Sequence, residues 1–378
     1  MDSRRWIRAG TAGGQSDDEV AKSQAENPMG TDGFEFVEYT APDPGQLGAL
    51  FEQMGFAAVA RHRSKDVILY RQGRINFIVN READSFAQSF ARVHGPSVCA
   101  FAMRVKDAAS AYQRAIELGA KPFESKVGPM ELNIPAIRGI GDSLIYLVDR
   151  YPGNNGNLSI YDVDFVPIPG AAQNPAGAGL EEIDHLTHNV YAGRMDTWAK
   201  FYEKLFSFRE IRYFDIQGKK TGLTSRALTS PCGKIRIPIN EPSDKGSQIQ
   251  EYLDAYHGEG IQHIALSAGD IFETVEALRT KQVRFLDTPD SYYERVDTRV
   301  ANHGEDLERM MRNRILLDGE GVDKDRHEDK LLQIFTETVI GPIFFEIIQR
   351  KGNQGFGEGN FRALFESIEA DQIARGVI

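Results

Sequence analysis

Apolar residues spaced by two, and then by three to four, take turns along the chain. Gly33-Phe34-Glu35-Phe36-Val37-Glu38-Tyr39 reads as a strand, and Leu47, Leu50, Phe51 and Met54 at i, i+3, i+4, i+7 predict an amphipathic helix after it. Ile183-Asp184-His185-Leu186-Thr187-His188-Asn189-Val190 predicts a second strand of the same kind, followed by a helix with Met195, Trp198, Phe201 and Leu205 on one face. Val98 to Met103 leads into a helix that Asp107 can cap, and Ile261 to Leu266 leads into one that Asp270 can cap. Each series closes on an apolar strand, Leu144 to Val148 and Ile343 to Ile348.

The pattern therefore runs twice, and twice again within each run. It predicts an α+β fold of duplicated βαβββ modules forming two half-barrel domains, 33–150 and 181–378. Between them, 151–180 is rich in Pro, Gly and Asn and reads as a linker. Residues 1–32 have little to bury and read as a disordered extension. Equivalent positions drift apart along the chain, from 149 residues (Phe36 to His185) to 163 (Ala100 to His263) and 200 (Tyr146 to Glu346). The second half therefore carries insertions, the larger one between His263 and Glu346.

Laying one half on the other exposes a difference in chemistry. His185 falls opposite Phe36, His263 opposite Ala100 and Glu346 opposite Tyr146. Glu346 sits among Ile343, Phe344, Phe345, Ile347 and Ile348, where a bare carboxylate is costly unless a cation compensates it. An ion pair with Arg350 would also serve, but would leave the two histidines unexplained. His188, three residues from His185, points to the other strand face and is read as structural. His62, His94, His257, His303 and His327 lie in polar or loop-like stretches and are assigned no role.

Composition narrows the classes. A net charge of −11 argues against nucleic acid and anionic membrane as partners, and no apolar run is long enough to span a bilayer. Cys99 and Cys232 supply no disulfide framework, which suits a reducing compartment, and a cytoplasmic location is expected. The first half lacks the polar trio, so a scaffolding role and a homo-oligomer are expected.

Two histidines and one carboxylate are the facial triad of non-haem Fe(II) oxygenases, with adjacent positions left for substrate and O2. Zinc hydrolases also use such a set, but no H-E-x-x-H helix is present. Three stretches bear the set: Asp184 to Val190, Gly258-Glu259-Gly260-Ile261-Gln262-His263-Ile264-Ala265, and Phe345-Glu346-Ile347-Ile348-Gln349-Arg350. With Pro238-Ile239-Asn240-Glu241-Pro242, Leu331 to Thr336 and Gly355-Phe356-Gly357-Glu358-Gly359-Asn360-Phe361, they resemble the 4-hydroxyphenylpyruvate dioxygenase family over about 33–375.

The resemblance implies a vicinal-oxygen-chelate (glyoxalase-like) fold, catalytic only in its C-terminal half, with one Fe(II) per subunit. It implies that an aromatic 2-oxo acid and O2 give homogentisate and CO2, a step of tyrosine and phenylalanine catabolism. The reactive species is then metal-bound oxygen, with no protein nucleophile. It also implies that Ser225, Asn240, Gln248, Gln262, Gln333 and Asn360 orient the substrate, and that Phe335, Phe356 and Phe361 flank its ring. Taken alone, Ser225 and Gln248 sit in loop-like sequence and Phe335 reads equally as core. A helix over 361–374, with Asn360 as its cap and glycines 355, 357 and 359 as a joint, is expected to act as a lid. Three rivals remain at this level. One is a 4-hydroxymandelate synthase, which the aromatic at Phe361 disfavours, and another is a non-catalytic binding protein on the same fold, which the intact trio disfavours. The third is a glyoxalase-type metal isomerase or an extradiol ring-cleaving dioxygenase, and the amide-rich pocket is less natural for the latter.

Overall fold

The computed structural model describes residues 26–378 except 155, 157, 218–221, 326, 358, 361, 363–372, 374–375 and 377–378. Phe361, nearly all of the expected lid over 361–374, and positions 1–25 of the N-terminal extension lie outside the described residues.

The first half builds β1 (Phe34–Thr40), β2 (Ala57–His62), β3 (Val67–Gln72), β4 (Ile75–Asn80), β5 (Ser97–Arg104), β6 (Pro122–Phe123), β7 (Ala136–Arg138) and β8 (Leu144–Val148). The second builds β10 (Leu180–Asn189), β11 (Arg209–Gln217), β12 (Gly222–Thr229), β13 (Arg236–Pro242), β14 (Gly260–Ala268), β15 (Leu316–Val322), β16 (Glu328–Phe335) and β17 (Phe344–Lys351). The sheet orders are β6-β7-β8-β5-β1-β4-β3-β2-β9 and β11-β12-β13-β10-β14-β17-β16-β15, where β9 is Phe165–Pro167. In each sheet two βαβββ modules meet at an antiparallel pair of opening strands, β1 with β5 and β10 with β14. This is the predicted duplication, two vicinal-oxygen-chelate half-barrels.

The helices follow their sequence signals. The first apolar face gives α1 (Gly45–Gln53). After α2 (Phe86–His94), α3 (Ala108–Glu117) is capped by the Asp107 carboxylate, which accepts from the Ser110 N–H. Beyond α4 (Ile160–Asp164) and α5 (Met195–Phe206) come α6 (Gln248–Tyr256) and α7 (Ile271–Thr280), the last capped by Asp270. The large insertion before Glu346 holds three short helices, α8 (Asp290–Tyr293), α9 (Val296–Arg299) and α10 (Leu307–Asn313).

Two expectations need correction. Residues 26–32 do not fit the disordered extension expected there: Met29 is buried in the core, and the Asn27 side chain bonds the Thr31 N–H and carbonyl. The stretch 151–180 is not a bare linker. Its α4 is held by a capping box between Ser159 and Asp162, and β9 adds an edge strand beside β2. Ile160, Tyr161 and Phe165 then pack with Phe36, Val59, Leu69 and Val148, closing the face of the first sheet with apolar side chains.

The two halves share one continuous core. Phe77 of β4 meets Tyr39 and Phe51, stacks on Phe56, and lies parallel to Phe345 of β17 at 5.9 Å between ring centroids. The first half thus braces the back of the strand that carries Glu346. Phe77→Ala is expected to cost about 3–5 kcal/mol in urea unfolding. A loss below about 1 kcal/mol would mean that this brace contributes little.

Candidate metal centre

His185, His263 and Glu346 lie on β10, β14 and β17, three successive strands of the second sheet. Backbone pairing puts His185, Ala265 and Glu346 in one row, while His263 stands opposite Thr187 and Phe344. The first sheet repeats those rows as Phe36, Ala102 and Tyr146, with Ala100 opposite Glu38 and Leu144. The pairing expected from sequence is therefore the pairing observed. Where the second half brings polar groups together, Phe36 and Tyr146 pack ring on ring at 5.6 Å.

The three polar side chains are buried, and their ligand atoms all lie within 4.8 Å of one another. Glu346 Oε2 is 3.1 Å from His185 Nε2 and 3.4 Å from His263 Nε2. The opposite nitrogens are engaged elsewhere. His185 Nδ1 is 2.8 Å from Asp184 Oδ1, and His263 Nδ1 is 3.1 Å from Gln262 Oε1. Both contacts assign the Nδ1–H tautomer, which leaves each Nε2 lone pair facing the centre. The Thr187 hydroxyl reaches His263 Nε2 at 2.9 Å.

Asp184 and Gln262 each immediately precede a histidine, and neighbours on a regular strand point to opposite faces. Two β-bulges remove that obstacle. β10 has an extra residue between Ile183 and His185, and β14 has one opposite the step from Thr187 to His188. The extra residues are Asp184 and Gln262, turned by the bulges onto the side of the histidines they hold. The first half has the same two bulges, at Glu35 and Cys99.

Charge is distributed to suit a cation. Arg350 grips Asp184 with Nε at 2.7 Å and Nη2 at 2.8 Å, and Arg236 stands 3.7 Å away. Burial raises the Asp184 carboxyl, but Arg350 overcomes this and holds it well below the usual range. Burial likewise works against the Glu346 charge, yet the charge and hydrogen bonds of the two imidazoles, when these are protonated, bring its carboxyl down to about 2. His185 is raised despite burial by Glu346 and Asp184, whereas burial lowers His263. Arg350 pairs with Asp184 and leaves Glu346 to the imidazoles, so the ion-pair alternative for Glu346 does not hold. The donor set of two imidazole nitrogens and one carboxylate oxygen fits a divalent metal.

His188 points the other way, as expected. Its Nε2 lies 2.6 Å from the Tyr202 hydroxyl, and its ring faces Phe101 of the first half. Full burial lowers its pKa to about 3.

The other candidate residues divide into groups. Gln333 donates to Glu346 Oε1 at 2.7 Å and to the Phe356 carbonyl, and receives Asn360 Nδ2 at 2.9 Å. Phe356 meets His185 edge-on at 5.4 Å, and Phe335 lies edge-on to His263 at 6.4 Å. Ser225 and Asn240 are paired, buried residues of β12 and β13, with Asn240 Nδ2 on Asn189 Oδ1. Gln248 begins α6 and shares with Gln262 a cavity of about 790 Å³, a volume typical of small-ligand sites. Ser225 and Gln248 are thus not in loops. Asn360 holds Gln333 and Tyr292 through its amide, and its expected role as a helix cap falls on residues outside those described. Gly357, at φ +70°, is a close approach and not a joint: a Cβ there would sit 2.0 Å from Gln333 Oε1.

Sequence reasoning did not assign Asp184, Arg350, Thr187 or Phe344 to the site. Phe344 stacks on His263 at 4.8 Å and lines the same cavity. Its only sequence signal is its place two residues before Glu346, on the same strand face.

Comparison with known proteins places this site in context. Residues 25–166 match the family described as hydroxyphenylpyruvate dioxygenase, N-terminal, and residues 182–296 match the glyoxalase/bleomycin resistance protein/dioxygenase superfamily. The chain is 62% identical to hemolysin VllY of Vibrio vulnificus, over 93% of this chain and 98% of that protein. It is 60% identical to 4-hydroxyphenylpyruvate dioxygenase of Pseudomonas aeruginosa, over 95% and 99% respectively. Among solved structures it resembles a xylose isomerase-like TIM barrel/4-hydroxyphenylpyruvate dioxygenase fusion protein, at TM-score 0.75 and 36% identity. That match covers 90% of this chain, which spans only 53% of the fusion.

Removing the carboxylate should abolish metal binding. Glu346→Ala, loaded anaerobically with Fe(II) and desalted, is expected to carry under about a tenth of the wild-type iron. Wild-type iron content in that variant would refute the ligand set. His188→Ala should unfold more easily yet keep its iron, and folded protein that loses it would shift the site to His188.

Proposed function

The chain belongs to the 4-hydroxyphenylpyruvate dioxygenase family, and on that footing we propose that it turns 4-hydroxyphenylpyruvate and O2 into homogentisate and CO2 at a ferrous ion held by His185, His263 and Glu346. The observation that supports this most directly is the buried imidazole–imidazole–carboxylate set on adjoining strands of the second sheet. Bound iron would supply O2 activation and a chelation point for the 2-oxo acid. One oxygen atom ends in the carboxylate left by decarboxylation and the other on the ring, so no external reductant is required.

The remaining work belongs to side chains. Asp184 and Gln262 hold the two Nδ1–H groups, so that each Nε2 presents its lone pair inward. Gln333 occupies Glu346 Oε1 and leaves Oε2 to face the imidazoles, favouring one-oxygen ligation. Phe335, Phe344 and Phe356 stand around the two histidines and exclude water from the reacting groups. Gln248 and Gln262, on the cavity wall, can orient a carboxylate or phenol without competing for the metal, as can the buried Ser225–Asn240 pair. The buried Asn240 Oδ1 and Asn189 Nδ2 have no partner among the described residues, which suits a ligand that completes their hydrogen bonds. Phe361 is retained as a ring-flanking residue on the resemblance alone. Among the described residues no helix is long and apolar enough to cross a membrane. A cytoplasmic homo-oligomer with one iron per subunit completes the reading.

Oxygen uptake by the Fe(II)-loaded chain with 4-hydroxyphenylpyruvate, followed by identification of the aromatic product, tests it. Homogentisate is expected, with one O2 consumed per turnover. Hydroxymandelate would keep the metal site and change the product. Absence of uptake by iron-loaded protein would overturn the substrate.

A further inference from the structure

A line of hydrogen bonds leaves the metal centre and ends in the insertion that the first half lacks. Gln333 Nε2 donates to Glu346 Oε1 (2.7 Å), Asn360 Nδ2 to Gln333 Oε1 (2.9 Å), and the Tyr292 hydroxyl to Asn360 Oδ1 (2.7 Å). Tyr292 belongs to α8. Its hydroxyl receives the Leu317 N–H at 2.9 Å and Arg299 Nη2 at 2.6 Å, which occupies both lone pairs. The Leu317 carbonyl, 3.0 Å from the hydroxyl, already takes a hydrogen bond from Arg299. The hydroxyl proton is left for Asn360, the nearer acceptor.

Each bond in this line donates toward Glu346, and the sense is set at its far end. An amide can turn over and exchange its oxygen for its nitrogen, and Asn360 and Gln333 are both amides. A phenolic proton aimed at Asn360 Oδ1 forces the Asn360 NH2 toward Gln333. That in turn forces the Gln333 NH2 toward the carboxylate. Without the proton, Asn360 can present its oxygen to Gln333, and Gln333 can follow by presenting its own oxygen to Glu346. A carbonyl oxygen against a buried carboxylate is repulsive, and it releases the carboxylate from its fixed orientation. The Phe356 carbonyl, 3.1 Å from Gln333 Nε2, resists the turn and keeps the expected effect moderate.

We propose that Tyr292 is a positioning residue of the metal centre: its hydroxyl fixes the orientation of the Asn360 and Gln333 amides, and through them the ligating carboxylate of Glu346. This rests on the ligand set proposed above. Arg299 lies over the Tyr292 ring at 4.7 Å from its centroid, so the aromatic ring has a packing role of its own that a phenylalanine preserves. The hydroxyl is the separable part.

The test titrates the full-length, metal-free chain with Co(II) and follows the visible absorption of the bound ion. Tyr292→Phe is expected to raise the Co(II) dissociation constant about tenfold, with the unfolding midpoint of the metal-free protein nearly unchanged. Asn360→Asp keeps an acceptor for Tyr292 but cannot donate to Gln333, and it should weaken Co(II) to a similar degree. The combined variant should bind no more weakly than the worse single one, because both break one line. Wild-type affinity in Tyr292→Phe, or effects that add in the combined variant, would overturn the proposal. Asn360→Asp with wild-type affinity would overturn it too. A wild-type chain that binds Co(II) no better than Glu346→Ala would sink the ligand set itself, a result distinct from either.

Discussion

A carboxylate is buried on a strand whose neighbours are Phe345, Ile347 and Ile348, and most of the second half is arranged around that cost. Desolvating an ion costs several kcal/mol, and the nearest guanidinium does not offset it for Glu346. Arg350 is turned instead to Asp184, whose charge would otherwise stand uncompensated beside His185. The result is a carboxylate opposed by two imidazoles, each with Nδ1 committed to an acceptor. Two inward lone pairs and one negative oxygen make a site that only a cation or shared protons can settle. The spacing of these groups, the β-bulges beside them and the bracing of β17 by Phe77 all serve that one location.

The parts of this that the amino-acid sequence made legible are those that follow a period. Strand alternation and helical spacing exposed the duplication. The duplication then picked His185, His263 and Glu346 because hydrophobic residues stood at the sister positions. It also separated His185 from His188, three residues apart, without any knowledge of Tyr202. What stayed hidden does not follow a period. A bulge adds one residue to one strand and leaves the apolar pattern nearly intact, so nothing marked Asp184 and Gln262 as turned toward the histidines. Arg350 meets Asp184 across 166 residues of chain, and no local pattern names such a partner. Ser225 lies among small and polar residues, which reads as loop, yet it is the middle of β12 because Asn240 opposite supplies its neighbour. The Pro and Gly of 151–180 signalled a connection correctly and concealed that α4 and β9 fold within it.

The covering of each half-barrel extends the duplication beyond its strands. After β8 the chain turns back and lays Ile160, Tyr161 and Phe165 over the first sheet. After β17 it turns back again and brings Phe356 and Asn360 to the centre of the second. The first covering presents an apolar face to the first sheet. The second is held by Arg350 on the Gly355 carbonyl, Gln333 on that of Phe356, and Asp318 on the Gly359 N–H. Hydrogen bonds of this kind exchange with water at little net cost, whereas opening an apolar core exposes its whole area. The same topological move therefore lays an apolar face over one half and a hydrogen-bonded segment over the other.

That difference bears on why one half alone holds the trio. Introducing the trio into the first sheet would require more than three substitutions. Phe36 and Tyr146 are in ring contact at the matching positions, and the place that Gln333 takes beside Glu346 falls to Ile134, two residues before Ala136, which is Phe335's counterpart by register. An ionised group there would face Ile160 and Phe165 with no amide to orient it and no bulge residue suited to the task. Glu35, the counterpart of Asp184, pairs its carboxylate with Arg104, and the thiol of Cys99, the counterpart of Gln262, donates to the Glu38 carbonyl. The bulges persist in the first half although they aim no ligand, which is expected if they are set by the pairing of the opening strands. Geometry common to both halves thus supplies the frame, and Asp184, Gln262, Gln333 and Arg350 give one frame the contacts that orient a buried imidazole–imidazole–carboxylate set.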